Sequence, residues 1–205
     1  MREYIRFSRN RLLHRLVGEL LDVVGTALTP IFCIVLLFTY VLRIATVQGA
    51  SMEPTLQSED KLLVNLLDSR PSCGDILIIN ARRCALLDAN GNVYTMEGID
   101  KSIVKRVIAV GGQTVDIDFD KGVVYRNGAP LEEPYVNTLT QVPVPEKGAF
   151  TYPITIPDGY LFVMGDNREV SLDSRYPDVG LIPLAEVDGT VFARIYPPSK
   201  FGGVD

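Results

Sequence analysis

Three clusters in this sequence contain side chains able to act on a carbonyl group. In the first, Val47-Gln48-Gly49-Ala50-Ser51-Met52-Glu53-Pro54-Thr55-Leu56, a serine lies between small residues and a proline-stopped turn. Such a serine can present its hydroxyl and its own backbone N–H to one substrate carbonyl, as a nucleophile with an oxyanion hole requires. The second, SIVKRVIAVGG at 102–112, carries Lys105 in an otherwise apolar strand pattern. Alternation puts Ile103, Lys105 and Val107 on one face, so the amine is directed toward whatever that face buries. A solvated lysine, with a pKa near about 10.4, is protonated at neutral pH; apolar burial disfavours the cation and supplies a base. The third, MGDNREVSLDSR at 164–175, follows a hydrophobic strand with the turn residues Gly165, Asp166 and Asn167, then Arg168. Asp173 can pair with Arg175, and Ser171 or Ser174 can reach the lysine amine. Taken singly, each cluster also fits a plainer role: a simple turn, a lysine snorkelling outward beside Arg106, a polar loop with a satisfied salt bridge.

The elements that must position these residues begin with an uncharged run at 23–42, bracketed by Asp22 and Arg43. It matches the roughly 20 residues that a helix needs to cross a bilayer core. Arg2, Arg6, Arg9, Arg11 and Arg15 precede it against Glu3, Glu19 and Asp22, so the positive-inside rule predicts a cytoplasmic N-terminus and an external chain from about residue 44. Leu12, Leu13, Leu16, Val17, Leu20, Leu21 and Val24 recur at helical spacing among charged residues, which predicts an amphipathic segment along the inner membrane surface. The division expected is 1–22 basic and cytoplasmic, 23–43 spanning, and 44–205 extracytoplasmic.

That topology excludes several chemistries. The one histidine, His14, falls on the cytoplasmic side, so an external Ser-His-Asp triad, a Cys-His pair or a histidine-based zinc site is ruled out. There is no GxxxxGK[ST] or GxGxxG phosphate loop, and no metal or cofactor is expected. Beyond residue 43 the chain has 14 Lys+Arg against 22 Asp+Glu, a net charge of −8, which argues against nucleic acid as a partner. Cys73 and Cys84 fall outside the span and could bond, although their spacing says nothing of geometry.

After the span, LLVNLL (62–67), DILIIN (75–80), 102–110, TVDIDF (114–119), YLFVMG (160–165) and TVFARIY (190–196) read as strands. Asn127-Gly128 within 123–131 signals a hairpin, and the Pro-rich stretch 134–149 reads as a surface excursion. A single mainly β domain is predicted.

The ordered set SMxPT, KR in a strand followed by a Gly pair, and GDNRxxSxDSR, after one N-terminal span, resembles the boxes of bacterial type I signal peptidases over residues 23–197. The resemblance implies a strongly bent, barrel-like antiparallel β-fold carried on one transmembrane helix. It also implies a serine endopeptidase of the plasma membrane, close to the protein-export translocon, that cuts signal peptides from exported preproteins after small residues at −1 and −3. Residue by residue, Ser51 matches the nucleophile, Lys105 the general base and Ser171 the serine orienting that lysine. Asp173 with Arg175 matches a structural ion pair, within a loop that also includes Gly165, Asp166, Asn167, Arg168 and Ser174. Val47, Met52, Leu56, Ile103 and Val104 match positions lining shallow apolar pockets for the signal peptide. Two departures stand out: Gly49 offers no oxyanion-hole hydroxyl, and Val170 replaces a residue that is usually polar. A self-cleaving repressor-type protease, which also uses a Ser/Lys dyad, fits less well because no basic recognition helix precedes the catalytic clusters. An inactive β-module tethered to the membrane would have no reason to keep a buried lysine.

Overall fold

The computed structural model describes residues 2–68, 70–141 and 148–204, with side chains described from His14 onward. It divides into two compact units, 1–42 and 43–205. The first is one uninterrupted helix, α1 (Arg2–Tyr40), so the expected amphipathic segment and the expected span are parts of a single helix that ends two residues before Leu42. Residues His14–Tyr40 are long and apolar enough to cross a membrane, with a mean hydropathy of 2.3 in their most apolar window and none of that window buried by protein. Inside this stretch the hydroxyls of Thr26, Thr29 and Thr39 donate to the carbonyls of Asp22, Gly25 and Val35 one turn back. Their polar groups are thus satisfied within the helix, as lipid demands.

Among the described residues the β-rich part of the chain has thirteen strands: β1 (Leu42–Thr46), β2 (Lys61–Asn65), β3 (Ile76–Asn80), β4 (Arg83–Leu87), β5 (Val93–Glu97), β6 (Ser102–Val110), β7 (Thr114–Asp118), β8 (Val123–Arg126), β9 (Ala129–Pro130), β10 (Ile154–Thr155), β11 (Tyr160–Met164), β12 (Ile182–Pro183) and β13 (Val187–Tyr196). They form a seven-stranded sheet in the order β1-β2-β13-β3-β6-β11-β12, a four-stranded sheet β10-β7-β8-β9 and the hairpin β4-β5. The sheets are antiparallel and open, so the mainly β, antiparallel fold expected from the sequence is present without closure into a barrel. Asn127 and Gly128 adopt positive φ of 53° and 78° between β8 and β9, the hairpin turn that this dipeptide favours.

Two relationships in the large sheet bear on the site. β6 pairs along 102–106 with β3 on one side, while on its other side β11 reaches only 106–110. The edge of β6 over 102–105 therefore has no β11 partner. The N–H and C=O of Val107 bond to Asp75 and Gly74 on the β3 side, so the period of two turns the backbone groups of Ser102 and Val104 to the open edge. The second relationship is a core cluster of Val47, Met52 and Leu56 with Leu62, Val64, Ile76, Ile78, Val191 and Val204. At about 1.5–3 kcal/mol per buried large side chain, Met52 and Leu56 pin the connection between β1 and β2 to the sheet.

Candidate active site

Ser51 lies on that pinned connection, residues 47–60, two residues after Gly49 at φ +87°, where the chain turns in a conformation that a side chain would strain. The connection closes on itself: Val47 N–H donates to Asp60 C=O at 2.9 Å, Glu59 N–H to Val47 C=O at 3.0 Å and Leu56 N–H to Met52 C=O at 2.8 Å. Its serine end is gripped by Asn167, whose N–H donates to Ser51 C=O at 3.0 Å and whose Nδ2 donates to Ala50 C=O at 3.1 Å. The Ser51 N–H donates to no group among the described residues.

Lys105 lies opposite, on β6, cross-strand from the buried Leu77 and flanked on its face by Ile103 and Val107. Only 3% of Lys105 is exposed. Its Nζ is 2.9 Å from Ser51 Oγ and 3.1 Å from the Val104 carbonyl oxygen. Desolvation lowers the amine's pKa from 10.5 to about 8, against the opposing pull of the Asp173 and Asp166 carboxylates and with some help from the Arg175 cation. A lysine in this setting is neutral for a substantial fraction of the time near pH 8.

Around this pair the third sequence cluster folds into a shell of buried ions. Arg175 clamps Asp173 with two bonds of 2.8 and 3.0 Å, and both residues are buried. Asp173 also accepts the Gly165 N–H at 3.1 Å, and Ser174 Oγ accepts the Val163 N–H at 2.9 Å. Arg168, 1% exposed, pairs with Glu133 and donates to Thr140 Oγ1 at 2.7 Å. Asp166 receives a fork from Arg106 at 2.9 and 2.8 Å and the Thr55 hydroxyl at 2.6 Å. The Tyr135 ring covers the Arg106 guanidinium at 4.0 Å. Tyr135 and Thr140 place part of the stretch expected to be a surface excursion in the site's support, next to Glu133; residues 142–147 lie outside the described residues.

The structure gathers the expected residues around Ser51 and Lys105, in the following places. Ser171 Oγ is buried beside Gly165 but makes no hydrogen bond, and the second partner of the lysine amine is the Val104 carbonyl. Val47, Met52 and Leu56 are 2%, 1% and 0% exposed; they form core beneath the loop instead of lining open pockets. Ile103 and Val104 are half-buried and keep surface beside Lys105. Cys73 and Cys84 are free thiols: Cys73 Sγ donates to Gln113 Oε1 at 3.1 Å, while Cys84 is buried at β4 against the carbonyls of Glu97 and Pro177. Arg106 escaped the sequence reading because an arginine beside a lysine in a strand looks like an outward pair. Its one signal was its place on the face of Val104, opposite to that of Lys105.

An open-edged antiparallel β-domain with a buried lysine amine within hydrogen-bond reach of a serine hydroxyl is an arrangement that can carry the acyl-transfer chemistry of a serine hydrolase. Comparison with known proteins makes this specific: residues 20–196 match the family described as signal peptidase, peptidase S26. The chain is 32% identical to the probable signal peptidase I of Mycobacterium leprae, covering 82% of this chain and 73% of that protein. It is 33% identical to the signal peptidase I of Mycobacterium tuberculosis (82% and 69% covered) and 33% identical to the probable signal peptidase I-1 of a Synechocystis species (84% and 83%). The solved signal peptidase I of Enterococcus faecalis aligns with 27% identity over 59% of this chain and 96% of that one, at a TM-score of 0.39. The chain belongs to the signal peptidase S26 family of serine peptidases.

Proposed function

We propose that this protein is a membrane-anchored signal peptidase in which Ser51 attacks the scissile carbonyl and Lys105 is its general base. The observation that carries the reading is the 2.9 Å line between Lys105 Nζ and Ser51 Oγ, with the amine desolvated. When the amine is charged it donates along that line. When it is neutral its lone pair accepts the hydroxyl proton as Oγ bonds to the substrate carbon. The carbonyl's electron pair moves onto its oxygen, stabilised by the Ser51 N–H. The ammonium then returns the proton to the leaving amine, the C–N bond breaks, and water, activated by the same lysine, hydrolyses the acyl-enzyme.

The substrate is the signal peptide of an exported preprotein. An extended peptide fits the open edge of β6, where the backbone groups of Ser102 and the N–H of Val104 face outward for pairing, with small side chains at −1 and −3 beside the half-buried Ile103 and Val104. The helix His14–Tyr40 anchors the enzyme in the plasma membrane, with the N-terminus cytoplasmic by its arginine excess and residues 44–205 external, near the translocon that delivers preproteins. Asp173 with Arg175, and the loop of Gly165, Asp166, Asn167, Arg168 and Ser174, serve as scaffold. Ser171 acts as an orienting hydroxyl once the amine swings toward it. Val47, Met52 and Leu56 act indirectly, as the floor beneath the −1 and −3 sites.

The direct test is Ser51→Ala in detergent-solubilised protein, assayed on a preprotein with Ala at −1 and −3. Cleavage should fall below about a thousandth of wild type while insertion and β-content stay unchanged. Turnover above that level would remove Ser51 from the role.

A further inference from the structure

The connection carrying Ser51 is held at two places, and only one of them belongs to the shell already described. At the serine end Asn167 grips Ala50 and Ser51. Four residues on, Thr55 is held from both sides: its hydroxyl donates to Asp166, and its carbonyl accepts from Nη1 of Arg194 at 2.9 Å. The same Nη1 donates to Asp60 Oδ2 at 3.0 Å, and that carboxylate oxygen also accepts the Gln57 N–H at 2.9 Å. Arg194 thus ties the exit of the loop at Asp60 to its middle at Thr55 through one nitrogen.

Arg194 comes from β13, opposite Leu62 of β2, where the register of that pairing shifts before Tyr196. Irregularities of this kind re-aim a side chain. The Arg194 side chain is 14% exposed and that of Asp60 4%, so the pair is screened little by solvent. The backbone of Arg194 exchanges two hydrogen bonds with Gly202, its Nε donates to Lys200 C=O at 2.9 Å, and Lys200 Nζ donates to Gln57 Oε1 at 2.7 Å. Val204 then enters the core cluster with Met52 and Leu56. The segment 197–204 is strapped across the loop by a residue more than 140 positions beyond Ser51 in the chain.

We infer that Arg194 is a positioning residue for Ser51, acting through Thr55 and Asp60, and that the strap 197–204 is part of the same device. The inference rests on the proposed role of Ser51 as nucleophile. A lysine base works only if the hydroxyl stays on its 2.9 Å line, and that line is set on one side by β6 and on the other by this loop. A loop free to shift by about 1 Å loses on the order of 100-fold in rate without losing the peptide site on β6.

The test compares Arg194→Ala, Arg194→Lys and Ser51→Ala in the full-length detergent-solubilised protein. All are assayed on the same Ala-at-−1-and-−3 substrate, at least 15 °C below each variant's own unfolding midpoint. Arg194→Ala should lower kcat by about 10- to 100-fold with KM within about threefold. Arg194→Lys, whose single amine can reach Asp60 but cannot also make the Nε bond to the Lys200 carbonyl, should recover part of that loss. If Arg194→Ala keeps kcat within about twofold of wild type, or if KM rises in step with the loss, the positioning role is wrong. Should Arg194→Ala fail to fold, Arg194→Lys decides alone: a lowered kcat at unchanged KM upholds the inference, and wild-type kinetics overturn it. An active Ser51→Ala would instead overturn the nucleophile assignment, so the two failures are distinguishable.

Discussion

Gly165 approaches Ser51 so closely that a Cβ at position 165 would stand 2.4 Å from the Ser51 carbonyl oxygen and 2.3 Å from Ser171 Oγ. The φ of Gly165 is not positive, so backbone freedom is not what this glycine supplies. It supplies room for two loops to meet. The neighbour on one side is backbone, which cannot rotate away, and its displacement would carry Ser51 with it.

Gly165→Ala should therefore cost activity out of proportion to stability. Overpacking of this kind costs about 1–3 kcal/mol, which a folded domain can absorb, while a shift of Ser51 by about 1 Å costs on the order of 100-fold in kcat. Kinetics alongside thermal unfolding of the variant measure both. Wild-type kcat in Gly165→Ala would mean that the Asn167 grip on Ser51 does not fix the serine.

The buried lysine should make the enzyme less stable than it could be. Its folded-state pKa of about 8 lies below the unfolded value of 10.5, so between these pH values the unfolded chain binds more protons and stability rises with pH. Below pH 8 the native state carries a buried cation, at a cost of about 3 kcal/mol. Lys105→Met should be inactive yet more thermostable at pH 7, by several degrees, with the advantage shrinking as the pH climbs from 8 toward 10.5. Equal melting temperatures for the two proteins at pH 7 would show that the amine is solvated.

Asp173→Asn keeps the shape of the Arg175 partner but leaves that guanidinium buried without its counter-charge, which typically costs about 3–5 kcal/mol. The Asp173 charge also favours the Lys105 cation, so its removal should move the lysine's pKa further down. The surviving enzyme should thus unfold at lower temperature while the rising limb of its pH–rate profile shifts to lower pH. A variant as stable as wild type yet inactive would assign Asp173 a part in the chemistry itself.

How much of this was legible in the sequence follows from how local each cause is. The strand 102–110 is legible to the residue, because nine residues of alternating and apolar pattern need no partner to declare themselves. The hairpin β4-β5 is absent from the sequence expectation, although Asp88 caps its turn by accepting the N–H groups of Asn90 and Asn92, a signal carried by Asp-Ala-Asn-Gly at 88–91. The two-residue strands β9, β10 and β12 exist only through their partners. Lys105 and Ser51 stand out by residue type, since few side chains can replace a histidine as a base. The burial of Met52 and Leu56 is not legible locally, because partners such as Ile76, Val191 and Val204 come from distant strands and segments. The Arg106–Asp166 fork joins residues sixty positions apart and was invisible for the same reason.

The final prediction concerns the base. At pH 7 most of the Lys105 amine is protonated and only the neutral minority can accept the Ser51 proton, so kcat/KM should rise with pH along a limb whose midpoint is near 8. The limb reports the free enzyme, and it should flatten above about pH 9 once the amine is neutral. Lys105→Arg should be inactive across the whole range, because a guanidinium stays charged at any usable pH and has no lone pair to offer. Lys105→Ala should be equally inactive, while a histidine-directed reagent should leave the wild type untouched, since His14 lies within the N-terminal helix. A limb at the ordinary lysine value, or turnover by Lys105→Arg, would falsify the assignment and require another group to activate Ser51.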